Sequence, residues 1–285
     1  MYIREETKKI ILITILAIAM ANLSLYDRHI IQEQMTEVNQ QNKASRKRTQ
    51  KIHVNSTIEN TMDKYLELSN DYFVLAVGKV GNLKDGGQAP IYKYAANDSE
   101  IIAGLQYNCA ILIELGLLKK NINYKWIPVN IPNKNQIGYV DISQIEIQDV
   151  KIKNPTDDPN RNQIVEDAIS YIGLDFVRYG KSLKTGIDCS NFIHQIYGKT
   201  GIEIDNTPNG MKKQAQKVTD EEALPGDIVY YDVNNGGGHV GIYLGSGLII
   251  NSAGHEGMIY PEGGVRICRL RYNDREEYEF YRIIE

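Results

Sequence analysis

The stretch "HVGIYLGSGLIINSA", His239 to Ala253, carries two β-forming runs on either side of Gly245-Ser246-Gly247. Val, Ile and Tyr suit a pleated surface and glycine interrupts it, so the stretch is read as a β-hairpin. Its register decides which side chains meet. A three-residue turn centred on Gly245 pairs His239 directly with Asn251. Centred on Ser246, the turn makes them diagonal neighbours on one face, where cross-strand side chains interact. A two-residue turn sends them to opposite faces, because the side-chain period along a strand is two. In the first two registers the Asn251 amide oxygen can accept from one imidazole nitrogen and leave the other facing a nucleophile. A histidine that follows "NNGGG" and opens a strand is held by the sheet, yet open on one side.

The matching nucleophile lies upstream, in "TGIDCSNFIHQIYG", Thr185 to Gly198. Phe192, Ile193, Ile196 and Tyr197 recur with a helical period and Gly198 ends the run. Cys189 therefore falls in the first helical turn, where unpaired backbone N–H groups create positive potential. A cysteine thiol with an ordinary pKa of about 8.5 is acidified by such a position and by a neighbouring imidazolium. The same N–H groups can hold the oxyanion of a tetrahedral intermediate. Two bland readings stand beside this one. Cys189 could be a small buried apolar residue, and Asp188 could be an N-cap instead of a substrate contact. The other histidines fit less well: His29 and His53 lie in a polar N-terminal region, His194 sits on the Cys189 helix facing away, and nothing fixes His255 in "AGHEGM". Cys189, His239 and Asn251 thus satisfy the logic of a nucleophile, a base and a residue that orients the base.

Around these segments, "QIVEDAISYIG" places Ile164, Ala168, Ile169 and Ile172 on one helical face. The strand candidates "DIVYYD", "GLIINSA", "VRICRL" and "EFYRIIE" follow, so residues 161–285 are expected to form an α+β domain with an antiparallel sheet. "KNPTDDPNRN" reads as a linker over 151–160. Short apolar runs such as "YFVLAVGKV", "CAILIEL" and "QIGYVDI", broken by Gly, Asn and Pro, predict a small all-β barrel over 71–150. Residues 26–70 read as a polar stalk, and their basic cluster "QNKASRKRTQK" could touch anionic wall polymers or simply be solvated. Arg4, Lys8 and Lys9 precede the apolar run "IILITILAIAMA", so residues 1–25 read as a secretory signal or an uncleaved membrane anchor. Either places the rest of the chain outside the cytoplasm.

The composition agrees with a globular protein: 285 residues, 42% hydrophobic and 24% charged. A net charge of -4 argues against a nucleic-acid binder that relies on many phosphate contacts. Three widely spaced cysteines suggest neither a disulfide framework nor a zinc site, and the proposed chemistry needs no metal or organic cofactor.

Taken together, "GIDCSNF", "LPGDIVYYD" and "GGHVGIYLGSGLIINSA" resemble the NlpC-type cell-wall peptidases, papain-like cysteine hydrolases, over about Asn162 to Glu285. The resemblance implies Cys189 as nucleophile, His239 as base and Asn251 as orienting residue. It also implies hydrolysis of peptidoglycan stem peptides, most often at the bond from the γ-carboxyl of D-glutamate to the diamino acid. Asp188 and Ser190 are the candidate substrate-binding residues. Two alternatives remain: a related Cys-His amidase cutting before L-alanine, and a catalytically silent wall-binding protein. The chain departs from the family pattern at Asn191, where glycine is usual, and in "VRYGK", where Val177 stands for a cleft-lining tyrosine and Lys181 for a glycine. Upstream, "YKWIPVNIPNKNQIGYVDISQI" resembles the closing strands of bacterial SH3-like wall-binding domains, through Trp126, Gly138, Tyr139 and Val140. These aromatics could equally fill a core without binding anything.

Overall fold

Short apolar runs between glycine, asparagine and proline make strands the commonest regular element among the described residues. The computed structural model describes residues 63–283 apart from 69, 80–87, 119–123, 234–236, 256 and 272–276. The expected signal or anchor over 1–25 and nearly all of the stalk over 26–70 lie outside the described residues. No described helix is long and apolar enough to cross a membrane.

The strands in chain order are β1 (Tyr72–Gly78), β2 (Gln88–Tyr92), β3 (Ile101–Gln106), β4 (Cys109–Leu112), β5 (Trp126–Ile131), β6 (Gln136–Asp141) and β7 (Ile145–Lys151). They continue with β8 (Lys181–Ser182), β9 (Gly186–Ile187), β10 (Gln216–Val218), β11 (Ile228–Val233) and β12 (Gly237–Gly245). The last are β13 (Leu248–Ala253), β14 (Gly264–Arg269) and β15 (Glu279–Arg282). Nine of them form one antiparallel sheet in the order β10-β15-β11-β12-β13-β14-β4-β1-β7, and four form a second in the order β3-β2-β6-β5. With helices α1 (Pro159–Ile169), α2 (Cys189–Lys199) and α3 (Pro208–Gln214), the class is α+β as expected.

The large sheet runs through what the sequence suggested were two separate domains. β4 pairs with β14, Ala110 opposite Ile267 and Cys109 opposite Cys268, and β1 and β7 extend the sheet beyond β4. Leu75, Val77, Ala110 and Val150 join one core with Phe192, Ile193, Val240 and Ile250. Residues 62–285 accordingly form one compact unit. Among the described residues the strands between Tyr72 and Lys151 close no barrel, being divided between the two sheets. Trp126 is buried, edge-to-face against Tyr92 with ring centroids 5.3 Å apart, so it fills a core.

The seam corrects the reading of the cysteines: Cys109 and Cys268 are joined in a disulfide across a sequence separation of 159. Strand pairing set them opposite each other, a proximity that spacing along the chain does not reveal. Polar contacts line the same seam. Arg266 Nη1 donates to Gln106 Oε1 at 2.9 Å, Gly104 N donates to Glu262 Oε1 at 3.1 Å, and Arg269 pairs with Glu146.

Helix α2 buries Phe192, Ile193 and Ile196 against β12 and β13, which sets the cysteine segment beside the hairpin. The Pro-Gly-Asp turn ties the other end of this assembly. Asp227, 1% exposed, accepts from Arg161 Nη1 at 2.8 Å and Arg282 Nη2 at 2.7 Å, while Tyr197 donates to the Gly226 carbonyl. That turn therefore clamps α1, α2 and β15 together.

Candidate functional site

The site begins where the chain turns from extended backbone into α2. Asp188 caps the helix: its Oδ1 accepts from the Asn191 backbone N–H at 2.8 Å. The Asn191 side chain closes the cap, with Nδ2 donating to both carboxylate oxygens at 3.0 Å, and the Ser190 hydroxyl donates at 3.3 Å. Asn191 in place of glycine thus has a concrete job, since it immobilises the Asp188 carboxylate. Cys189 is the first residue of α2, half-buried and outside the disulfide. Its sulfur sits at the end of a helix where orphan N–H groups favour an anion.

The hairpin supplies the other half by a route none of the simple turns describes. Ile242 pairs with Ile250 and Tyr243 with Ile249, but the next pair is Gly245 with Leu248. The turn itself has two residues, Ser246 and Gly247, with φ of 52° and 73°. Alone it would have put His239 and Asn251 on opposite faces. A bulge at Leu244 adds the missing residue, and the strands beyond it follow the register centred on Ser246. His239 and Asn251 are therefore diagonal neighbours on one face, with His239 Nε2 3.3 Å from Asn251 Oδ1. With Nε2–H donating to the amide oxygen, Nδ1 becomes the proton-accepting nitrogen. Gly241, directly across from Asn251 in this register, leaves room for it: a Cβ there would meet the Asn251 Cβ at 3.2 Å. His239 is 6% exposed and Asn251 fully buried.

One residue ties the two halves together and has no signature in the sequence. Ser252, fully buried next to Asn251, donates through Oγ to the Ile187 carbonyl at 2.7 Å. The strand that carries Asn251 is thereby bonded two residues ahead of Cys189.

Cys189 and His239 line one cleft of about 790 Å³, whose wall also includes Asp188, Ser190, Asn191, Phe176, Pro208 and His255. His255, set aside for want of anything to orient it, is an exposed residue of this wall. His194 lies elsewhere, its Nδ1 donating to the Ile204 carbonyl at 2.6 Å. Val177, aligned with the family's cleft tyrosine, is not part of the wall; its neighbour Phe176 is. Among the described residues no group of three or more His, Cys, Asp and Glu side chains is arranged to hold a metal ion.

Residues 175–266 match the model of the NlpC/P60 family. That match covers about a third of the chain. Within it lie Cys189, His239 and Asn251, whereas α1, β15 and the strands before residue 175 lie outside the match. The chain is 35% identical over 89 residues to a probable endopeptidase p60 of Listeria seeligeri, covering 31% of this chain and 17% of that protein. It is 32% identical over 92 residues to the bifunctional muramidase/DL-endopeptidase CwlT of Bacillus subtilis, covering 31% and 28% respectively. To the murein DD-endopeptidase MepS/murein LD-carboxypeptidase of Escherichia coli it is 26% identical, over 40% of this chain and 61% of that one. The chain thus spans less than two thirds of each of these relatives.

Proposed function

We propose that this chain is an exported peptidoglycan hydrolase, a cysteine endopeptidase that cuts stem peptides at the bond from the γ-carboxyl of D-glutamate to the diamino acid. The reading rests above all on the shared cleft of Cys189 and His239, with Asn251 behind the imidazole at 3.3 Å. His239 Nδ1 takes the thiol proton, and the thiolate attacks the scissile carbonyl. Backbone N–H groups at the start of α2 stabilise the resulting oxyanion. The imidazolium then protonates the departing amine as the tetrahedral intermediate collapses to an acyl-enzyme. His239 next takes a proton from water, which displaces the sulfur and releases the carboxylic acid. Asn251 keeps the ring in the tautomer this sequence needs.

Relatives named as endopeptidases support the reaction class, and the Cys109–Cys268 disulfide supports an oxidising, extracytoplasmic address. In this reading Asp188 and Ser190 contact the substrate from the cleft wall, and the strands of residues 72–151 hold the enzyme against wall polymers.

The test is digestion of purified peptidoglycan by the full exported chain, read by mass spectrometry. Stem fragments cut after D-glutamate are expected, and Cys189→Ala should lower their yield by at least about 10³-fold while leaving the thermal transition in place. Release of intact stems would instead assign amidase activity. Undiminished digestion by Cys189→Ala would refute the mechanism.

A further inference from the structure

The segment before the cysteine contains a turn that is costlier than it needs to be. The Val177 carbonyl accepts from Gly180 N at 2.8 Å, closing a four-residue turn with Tyr179 in third position at φ 60°. That left-handed position favours glycine or asparagine, and a bulky aromatic there is strained. Tyr179 is also 77% exposed, so no burial offsets the strain. A strained residue held in a substrate cleft points to a role for its side chain. Tyr179 lines the cleft, and the Arg178 guanidinium lies 5.6 Å from its ring centroid.

A second cation stands beside this pair. Lys181 also lines the cleft and pairs with Ile187 across the short β8–β9 ladder. The Asp188 N–H donates to the Gly180 carbonyl at 3.1 Å, so turn and ladder are bonded directly to the entry of α2. Arg178 and Lys181 are exposed, and neither forms an ion pair among the described residues. Among the described residues the one carboxylate of the cleft wall, Asp188, is already engaged by Asn191 and Ser190. This wall therefore presents, on the same cleft as Cys189, two cations that no described carboxylate pairs with.

We infer that Arg178 and Lys181, with Tyr179 as the platform under the guanidinium, form a subsite for a substrate carboxylate next to the scissile bond. A γ-linked glutamyl residue carries such a group: its α-carboxyl branches off beside the carbonyl under attack, and it is anionic only while it is not amidated. The subsite thus selects stems with a free glutamyl α-carboxylate over stems with a carboxamide. This inference rests on the endopeptidase reading for the identity of the peptide.

The test compares two synthetic peptides, L-Ala-γ-D-Glu-diamino acid with the glutamyl α-carboxyl as carboxylate or as carboxamide. Binding is measured by calorimetry on the full chain carrying Cys189→Ala, so no turnover is required. The carboxylate peptide is expected to bind at least about tenfold tighter, a margin that shrinks as salt is added. Adding Arg178→Gln and Lys181→Gln should bring the ratio close to one. Tyr179→Gly should reduce the preference while raising the melting temperature, because it relaxes the turn and removes the platform. Equal binding of both peptides, or a preference that survives the double substitution, overturns the inference. Failure of the wild-type chain to cleave either peptide would overturn the endopeptidase reading alone, since the binding ratio is scored independently.

Discussion

Asp188 and Asn191 act at hydrogen-bond range, and together they determine how Cys189 is presented. The carboxylate satisfies the Asn191 N–H, one of the orphan donors at the start of α2, and the Asn191 amide holds that carboxylate from the other side. Asp188→Ala removes both sets of bonds and leaves the Asn191 amide without its acceptors. We expect a loss of about 2 kcal/mol, the upper end for an N-cap. Calorimetry should read this as a melting temperature lower by roughly 4–8 °C. An unchanged transition would mean that the cap does not hold the helix start. The cysteine's place in the first helical turn was legible in the sequence, because a capping residue followed by a helical apolar period is a local pattern. The role of Asn191 was not, since which acceptor an amide finds depends on the rotamers of its neighbours. Tyr179 was hidden for a similar reason: its identity is plain in the sequence, but its left-handed φ is a property of the folded turn.

The hairpin of β12 and β13 shows how an element converts local geometry into a site. Its two central turn residues both have positive φ, the condition of a type I′ turn, yet the first of them is serine. Ser246→Asn creates the Asn-Gly pair that this turn favours. It should raise stability by about 0.5–1 kcal/mol without altering cleavage, as checked by thermal melting beside a peptidoglycan digest. A lowered melting temperature would contradict the turn assignment. The bulge at Leu244 is the feature that matters for chemistry, because it returns His239 to the face of Asn251. Both candidate residues and the family of workable registers could be read from the sequence. The choice among them could not, since a bulge depends on packing against both flanking strands and leaves no mark in a hydrophobic pattern.

The whole molecule is held by a seam between β4 and β14, and the disulfide closes a loop of 159 residues across it. A cross-link over so long a loop restricts the unfolded chain strongly, by about 4–5 kcal/mol in the chain-entropy model. Replacing both cysteines, Cys109→Ser with Cys268→Ser, should therefore lower the melting temperature by on the order of 10 °C. The same drop should follow when the wild-type chain is reduced, and a reductant-insensitive melt would argue against the cross-link. By itself, the sequence determined the helix start at Cys189, the strand character of the hairpin and the α+β class, and it named Cys189, His239 and Asn251 as candidates. Each of these follows from patterns spanning a few residues or from motifs that match a family. Only the tertiary structure decided that residues 72–151 and 161–283 share a sheet and a core, that two distant cysteines pair, and that Phe176 faces the cleft while Val177 does not. Strand pairing across more than a hundred residues is set by which edges can bury apolar surface together, and that competition is settled in three dimensions.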